Sequence, residues 1–303
     1  MKRWTIVLLV MMMACWRVGW GEEESLNFKL ISYNILGGGG PRVDGIAGWL
    51  AEMRPDFVAL QELNGWGEER LRKEALRWGH AYTSLMVTKL EGDHYNFGVT
   101  SSQPFEVLEK RQEGFWHGIF HVRIPFNHSA TSHGLHLLLT HLNPHSAQDR
   151  RTEMKEIREI VDDLPYFVVM GDFNTLSPID ARYYDLKGVP TLLRSHAHLS
   201  SKYMTPAGLI DYEPIEILSE VAFDLDYYST SDDPEWFARS VPSPLNEDAM
   251  HATNLRIDYV FASPFIFDHD VKDCGVLHSS LLDQLSDHYP VVCEFELDPL
   301  LLH

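Results

Sequence analysis

The residues with chemistry to offer fall in six short polar motifs. They are Ser32-Tyr33-Asn34, Leu60-Gln61-Glu62, Thr140-His141-Leu142-Asn143, Gly171-Asp172-Phe173-Asn174, Arg256-Ile257-Asp258-Tyr259 and Ser286-Asp287-His288. Carboxylates, amides and two histidines, with no thiolate among them, suit a hard divalent cation and phosphoryl chemistry. Imidazole titrates near neutrality, so one histidine can accept a proton from water while the other stays charged against a developing phosphorane. Each motif also has a plainer reading: Asn34 as a turn former, Gly-Asp-Phe-Asn as an ordinary turn, a histidine as a structural group. Their weight comes from recurring in series, each at the edge of an apolar run.

Those runs are the elements that must position the polar groups. The motifs end or open the stretches FKLISYN, FVALQE, LHLLLTH, YFVVMGDFN, RIDYVF and SDHYPVVCEF, all rich in strand-forming residues. A strand end is rigid, so side chains placed there can converge on one metal and one phosphate without relying on loop order. Between the runs lie helical patterns. One surrounds Ile46, Trp49, Leu50 and Met53 and stops at Pro55; a second spans 66–78; a charged third covers 146–163 with Met154, Ile157, Ile160 and Val161 inward. β-like segments are expected at 81–88, 97–110, 115–124 and 134–141. With no repeat or low-complexity linker, the alternation predicts one α/β domain. The stretch 176–254 is the least regular. Its Tyr203, Tyr212, Tyr227, Tyr228, Trp236 and Phe237 could line a cleft or form a satellite core under a long loop.

The motifs, in this order, resemble the endonuclease/exonuclease/phosphatase superfamily, which includes deoxyribonuclease-I-like nucleases and neutral sphingomyelinases. The resemblance runs from about Leu26 to Glu296. It implies a four-layer α/β/β/α sandwich: two mixed β-sheets packed face to face, flanked by helices, with the active site at one edge. It implies Glu62 as principal ligand of Mg²⁺ (Mn²⁺ or Ca²⁺ as substitutes), with Asn34 and Asp287 supporting the metal. Phosphate contacts would come from Asn34, Asn96, His141 and Asn174. Catalytic groups would be His141, Asp172, Asn174, Asp258 and His288, with His288 taking a proton from water. Neighbouring residues of extended chain point oppositely, so Asp287 cannot orient His288; Asp172 is expected to, and Asp258 to fix His141. Relatives often carry Leu-Ser-Arg before a proline where this chain reads Thr100-Ser101-Ser102-Gln103-Pro104, which removes a cation and leaves the substrate class open. His145, Arg150 and Arg151 read as a solvated helix start, and Trp116-His117-Gly118 carries no assigned role.

Composition sets the remaining bounds. Residues 1–21 read as a signal peptide: Lys2 and Arg3 precede an apolar run shorter than the ~20 residues that span a bilayer. The catalytic domain is then 22–303, and the product a secreted, extracellular or periplasmic monomer. Loss of Lys2, Arg3 and Arg17 would take the formal charge from −19 to −22. Such acidity opposes tracking of a long polyanion, although a local cleft and bound cations can override net charge. A small or lipid-borne phosphodiester is therefore favoured; a nuclease acting on nucleic acid, or a binding protein on a retained fold, are the alternatives. Cys274 and Cys293 form either a disulfide or two buried thiols. Asn127-His128-Ser129 is a glycosylation sequon, meaningful only in a eukaryotic secretory pathway. Because every expected catalytic group lies outside 176–254, deleting 232–244 should spare hydrolysis of an activated ester.

Overall fold

The computed structural model describes residues 26–89, 95–125, 134–230, 239–245 and 254–297. Residues 1–21 read as the signal, Asn127, Trp236, Phe237 and the side chain of Tyr228 lie outside them. Two six-stranded sheets form the centre. The first has the order β11-β12-β1-β2-β4-β3, the second β5-β6-β7-β8-β10-β9. In the first sheet these are Val271–Val276, Val291–Leu297, Leu26–Asn34, Phe57–Gln61, Phe97–Ser101 and Tyr82–Met86. In the second they are Glu106–Arg111, Gly118–Pro125, Gly134–His141, Phe167–Asp172, Asp258–Ala262 and Phe223–Asp224.

Each sheet holds one parallel pair at its heart, β1 with β2 and β7 with β8, and antiparallel neighbours around it. A parallel pair needs a crossover, and a helix supplies it in both cases: α1 (Val43–Met53) and α3 (Ala147–Val161). Strand alternation assigns the layers. Phe28, Leu30, Phe57, Ala59, Phe97 and Val99 meet Phe120, Val122, Leu137, Leu139, Val168 and Met170 between the sheets. The opposite faces of the same strands, through Ile31, Tyr33, Val58 and Leu60, pack on α1 and on α2 (Glu68–Ala75). On the far side, Leu138, Val169 and Phe261 pack on α3 and α7 (Glu213–Ser219). The fold is thus the α/β/β/α sandwich. Both faces of the central strands are covered, which is why they read as continuous apolar runs.

Three local expectations change. The segment 97–110 is two strands, β4 and β5, in different sheets, because Pro104 cannot continue the ladder and the chain crosses between layers there. The helix expected over 66–78 starts only at Glu68 and closes as a 3₁₀ turn over Leu76–Trp78, while Trp66 donates from Nε1 to the Gly38 carbonyl. Residues 176–254 are not a bare loop. They form α4 (Ala181–Leu186), α5 (Val189–Ser195), α6 (Ala197–Tyr203), α7 and α8 (Leu225–Thr230), each too short to show a clear period. Tyr203 is buried with Tyr184, Leu193 and Leu255 in a satellite core, and Tyr212 packs against it. Arg256, fully buried, fastens this layer to the sheet through Asp180 at 3.0 Å and Asp224 at 2.7 Å.

Candidate active site

Both parallel pairs end at the same edge of the sandwich, and register decides which side chains meet there. Asn34 lies opposite Gln61, putting Glu62 one residue beyond the strand; His141 lies opposite Asp172; and Asp172 lies opposite Asp258, because β10 runs back from where β8 ends. Open α/β sheets bind ligands at the carboxyl ends of their parallel strands. Glu62 and Asn174 turn through the left-handed region, with φ 58° and 49°. The turn at Asn174 is closed by its own backbone N–H on Asp172 Oδ1 at 2.9 Å. Gly38 is required for a different reason: a Cβ there would sit 2.2 Å from the Asn64 carbonyl oxygen.

Asp172 Oδ2 is the centre of the site. It accepts from Asn34 Nδ2 at 3.2 Å and lies 3.3 Å from His141 Nε2 and 3.8 Å from His288 Nε2. The other nitrogen of His288, Nδ1, contacts Asp258 Oδ2 at 2.8 Å. The pairing therefore differs from expectation: Asp258 orients His288 and not His141, because β10 brings it under the Ser-Asp-His loop. Asp172 faces both imidazoles instead. His141 Nδ1 is buried without a hydrogen-bond partner among the described residues.

Glu62 sits beside this group, with Oε1 accepting from Asn34 Nδ2 at 3.1 Å and Oε2 from the Gly37 N–H at 3.0 Å. Asn34 bridges Glu62 and Asp172 with its amide nitrogen, and its oxygen accepts from the Leu36 N–H at 3.1 Å. Asp287 is buried and acts on both Glu62 and His288 through space, while its own carbonyl accepts from Ser243 N–H at 2.9 Å. Asn96 lies behind the site: its oxygen accepts from Thr88 N–H at 3.1 Å and its nitrogen donates to the Trp66 carbonyl at 3.1 Å, so it braces the Glu62 turn. Asn174 Nδ2 donates to the Leu142 carbonyl at 3.1 Å.

Burial and charge separate the two histidines. Burial works against the imidazolium of His288, but Asp258, Asp287 and Asp172 together outweigh it and raise the group to about 10. Burial, then His288 and Lys202, hold His141 well below its ordinary value, so it is neutral. Burial also pushes Glu62 upward, and Asp258 to about 6. Desolvated carboxylates crowded in this way favour a divalent cation, which fits their oxygen-rich chemistry. Two positions in the one cleft offer ligands: Glu62 with Asp287, and the trio Asp172, Asp258 and His288, whose donor atoms lie within 4.8 Å of one another. The trio is a poorer match to Mg²⁺, which prefers oxygen donors, because one of its three ligands is an imidazole nitrogen.

Several participants are not among the six motifs. His117 stacks on His141 with ring centroids 3.9 Å apart, and its Nδ1 meets the His141 carbonyl at 2.9 Å. Glu153 on α3 accepts from the N–H groups of Trp116 at 2.6 Å and Asn143 at 2.8 Å, fixing both flanking loops. Arg150, expected in solvent, is fully buried and donates to the carbonyls of Asn143 and Lys202. Ser240 Oγ accepts from the N–H groups of Ile257 and Asp258 at 2.9 and 3.0 Å, and Ser243 Oγ donates to the Ser286 carbonyl at 2.5 Å. Serine in a polar stretch gives no signal of such a role. Deleting 232–244 would thus remove supports of Asp258 and of the Ser-Asp-His loop, so Ser240 and Ser243 brace the candidate site. Conversely, the missing arginine near Gln103 loses its bearing on substrate. Ser101 pairs with Phe57, at the opposite end of β2 from Glu62.

Comparison with known proteins agrees with this geometry. No curated protein matches the sequence significantly. Among solved structures, an AP endonuclease from Archaeoglobus fulgidus is similar over 89% of this chain and 100% of its own, with a TM-score of 0.64 and 16% identity. The 3′ phosphatase NExo from Neisseria, bound to a product DNA hairpin, covers 88% and 99% with a TM-score of 0.63 and 16% identity. D. rerio TDP2 in complex with a single-strand DNA product covers 89% and 98% with a TM-score of 0.58 and 17% identity. Likeness at that identity speaks for the fold. The sequence profile of the Endonuclease/Exonuclease/phosphatase family matches residues 31–288, from β1 to His288. The chain belongs to the endonuclease/exonuclease/phosphatase family, and with it to the metal-dependent hydrolases of phosphate esters.

Proposed function

We propose a secreted, Mg²⁺-dependent phosphodiesterase that favours a small or lipid-borne diester over duplex DNA. The observation that carries the choice is the wall beside His141. There Tyr95 and His117 pack on or near the imidazole, Trp116 is 41% exposed against His145, and Val87 is 56% exposed. Gln112 bridges the Lys89 N–H and the Trp116 carbonyl, so these residues form one edge. Of the cations along it, Arg111 pairs with Glu109 and Glu156, and Lys110 with Glu68, which leaves the exposed Lys89. An aromatic, apolar edge with most of its charge neutralised suits a leaving group that is itself apolar; a DNA backbone calls for a row of free cations. Secretion is supported by the leader-like residues 1–21 and by the Cys274–Cys293 disulfide joining β11 to β12, since such bonds persist in oxidising compartments.

In this reading Glu62, with Asp287 near it, would hold the metal, which would supply positive charge against the phosphate oxygens. His288, oriented by Asp258 and charged at neutral pH, aligns the attacking water with Asp172, and Asp172 rather than His288 takes the proton. Asn174 and Asn34 hold the arrangement around phosphate, and His141 lies toward the leaving oxygen. Mn²⁺ or Ca²⁺ would substitute, and the enzyme acts as a monomer. A nuclease is the second reading, favoured by the DNA products bound to similar structures. The test is hydrolysis of plasmid DNA, RNA, sphingomyelin and bis(p-nitrophenyl) phosphate, each with Mg²⁺ or EDTA. Turnover of the small or lipid diesters is expected. Efficient DNA cleavage at near-physiological salt with neither diester turned over would overturn it.

A further inference from the structure

Lys202 is the residue that no motif announced. It sits at the end of α6, in the stretch between β8 and β10, and only 7% of it is exposed. Its carbonyl is held by Arg150, which also donates to the carbonyl of Asn143, so one buried guanidinium ties this lysine to the loop after His141. The ammonium acts electrostatically on His141 and is itself acted on by Asp172, Glu62 and Asp258. Those residues lie on four different strand ends and converge only in the catalytic cleft, so the charge sits at that cleft. The Tyr203 ring lies 5.0 Å from Nζ.

Among the described residues, Nζ makes no hydrogen bond and no ion pair. Nζ itself keeps contact with solvent, so the cleft leaves it open to an incoming anion. Burial does lower Lys202, to about 8, against the pull of Asp172, Glu62 and Asp258, which leaves it charged at neutral pH. Were its task to neutralise the carboxylates, direct pairing within 4 Å would serve best, and none forms. Arg42, which also feels Glu62 and Asp287, does not have this freedom. It donates from Nη1 and Nη2 to the carbonyls of Ile35, Leu36 and Leu285.

We propose that Lys202 is a catalytic cation of the phosphate subsite, its ammonium binding a non-bridging phosphate oxygen and bearing part of the charge that builds there during hydrolysis. The inference rests on the phosphoesterase reading, and it explains why an acidic chain can hold an anion beside four carboxylates. It also places a substrate contact within the stretch 176–254.

The test uses the whole protein and two binding probes besides activity. Inorganic phosphate, titrated calorimetrically with saturating Mg²⁺, should bind Lys202→Met at least about tenfold more weakly than wild type. Mn²⁺, followed by its electron-spin signal, should bind the variant as tightly or more tightly, because a positive charge has left the carboxylates. A fold defect would weaken both ligands; only a cation serving the anion moves them apart. The rate constant for bis(p-nitrophenyl) phosphate should drop by about 10²–10³, as for loss of one transition-state donor. If Lys202→Met misfolds, Lys202→Cys alkylated to aminoethylcysteine restores the ammonium and should restore phosphate binding, whereas the unalkylated form should lack it. Wild-type phosphate affinity in Lys202→Met, or in unalkylated Lys202→Cys, overturns the proposal. A wild type that hydrolyses no phosphate ester would sink the phosphoesterase reading instead, and the two binding titrations would still decide for or against Lys202.

Discussion

Replacing Asp258 by Asn tests which imidazole the carboxylate serves. His288 rises from 6.5 to about 10 and Asp258 from 3.8 to about 6 in the folded protein. The two shifts oppose one another: the raised His288 favours the folded state, and the burial that raises Asp258 disfavours it, so they offset in part. The His288 contribution is complete below pH 6.5 and is lost as pH rises through about 10; the variant should lack that loss. Asp258→Asn should therefore remain folded. Yet kcat on bis(p-nitrophenyl) phosphate should fall by about 10²–10⁴, since the imidazole loses the acceptor that orients it and holds its charge. Nitrogen NMR should show His288 titrating nearer its ordinary value. A double-mutant cycle with His288→Ala should return a coupling of about 1.5–3 kcal/mol, and the cycle with His141→Ala a clearly smaller one. Equal or larger coupling to His141, or an unchanged His288 titration, refutes the assignment.

Glu62→Gln should raise the Mg²⁺ concentration for half-maximal activity by at least the roughly 10–100-fold that loss of a supporting group costs, and full wild-type turnover in excess EDTA would falsify metal dependence. Ser240→Ala leaves the N–H groups of Ile257 and Asp258 without their acceptor, so kcat should drop about tenfold; a wild-type rate and melting temperature would show the brace to be dispensable. His121 and His136 face each other at 2.9 Å and are buried, and burial lowers each to about 4. The folded state thus binds fewer protons than the unfolded chain between pH 6.5 and 4, and stability should fall with pH across that window by on the order of 3 kcal/mol per histidine. Denaturant melts of the double variant His121→Leu/His136→Leu should be flatter there; an identical slope would discount the pair.

The sequence by itself determined the layers and the family. Strands buried on both faces must be apolar throughout, so FVALQ and LHLLLTH are visible as runs, and the rigid strand ends carry the motifs within the chain's own order. It also named Glu62, His141, Asp172, Asn174, Asp258, Asp287 and His288, because a motif fused to a strand end is a local pattern. Which carboxylate meets which imidazole was not local. Asp258 reaches His288 and not His141 because β10 runs antiparallel to β8 in one particular register, and register arises from pairing between segments far apart in the chain. The same holds for residues whose type says nothing alone. Lys202, Ser240 and Arg150 read as polar surface in a single sequence, and only the packing of the 176–254 layer over the strand ends turns them inward. Asn96 and the position of the missing arginine show the converse. Each sits at a suggestive place in the chain, and the three-dimensional course of β4 puts one behind the site and the other at the far end of the sheet.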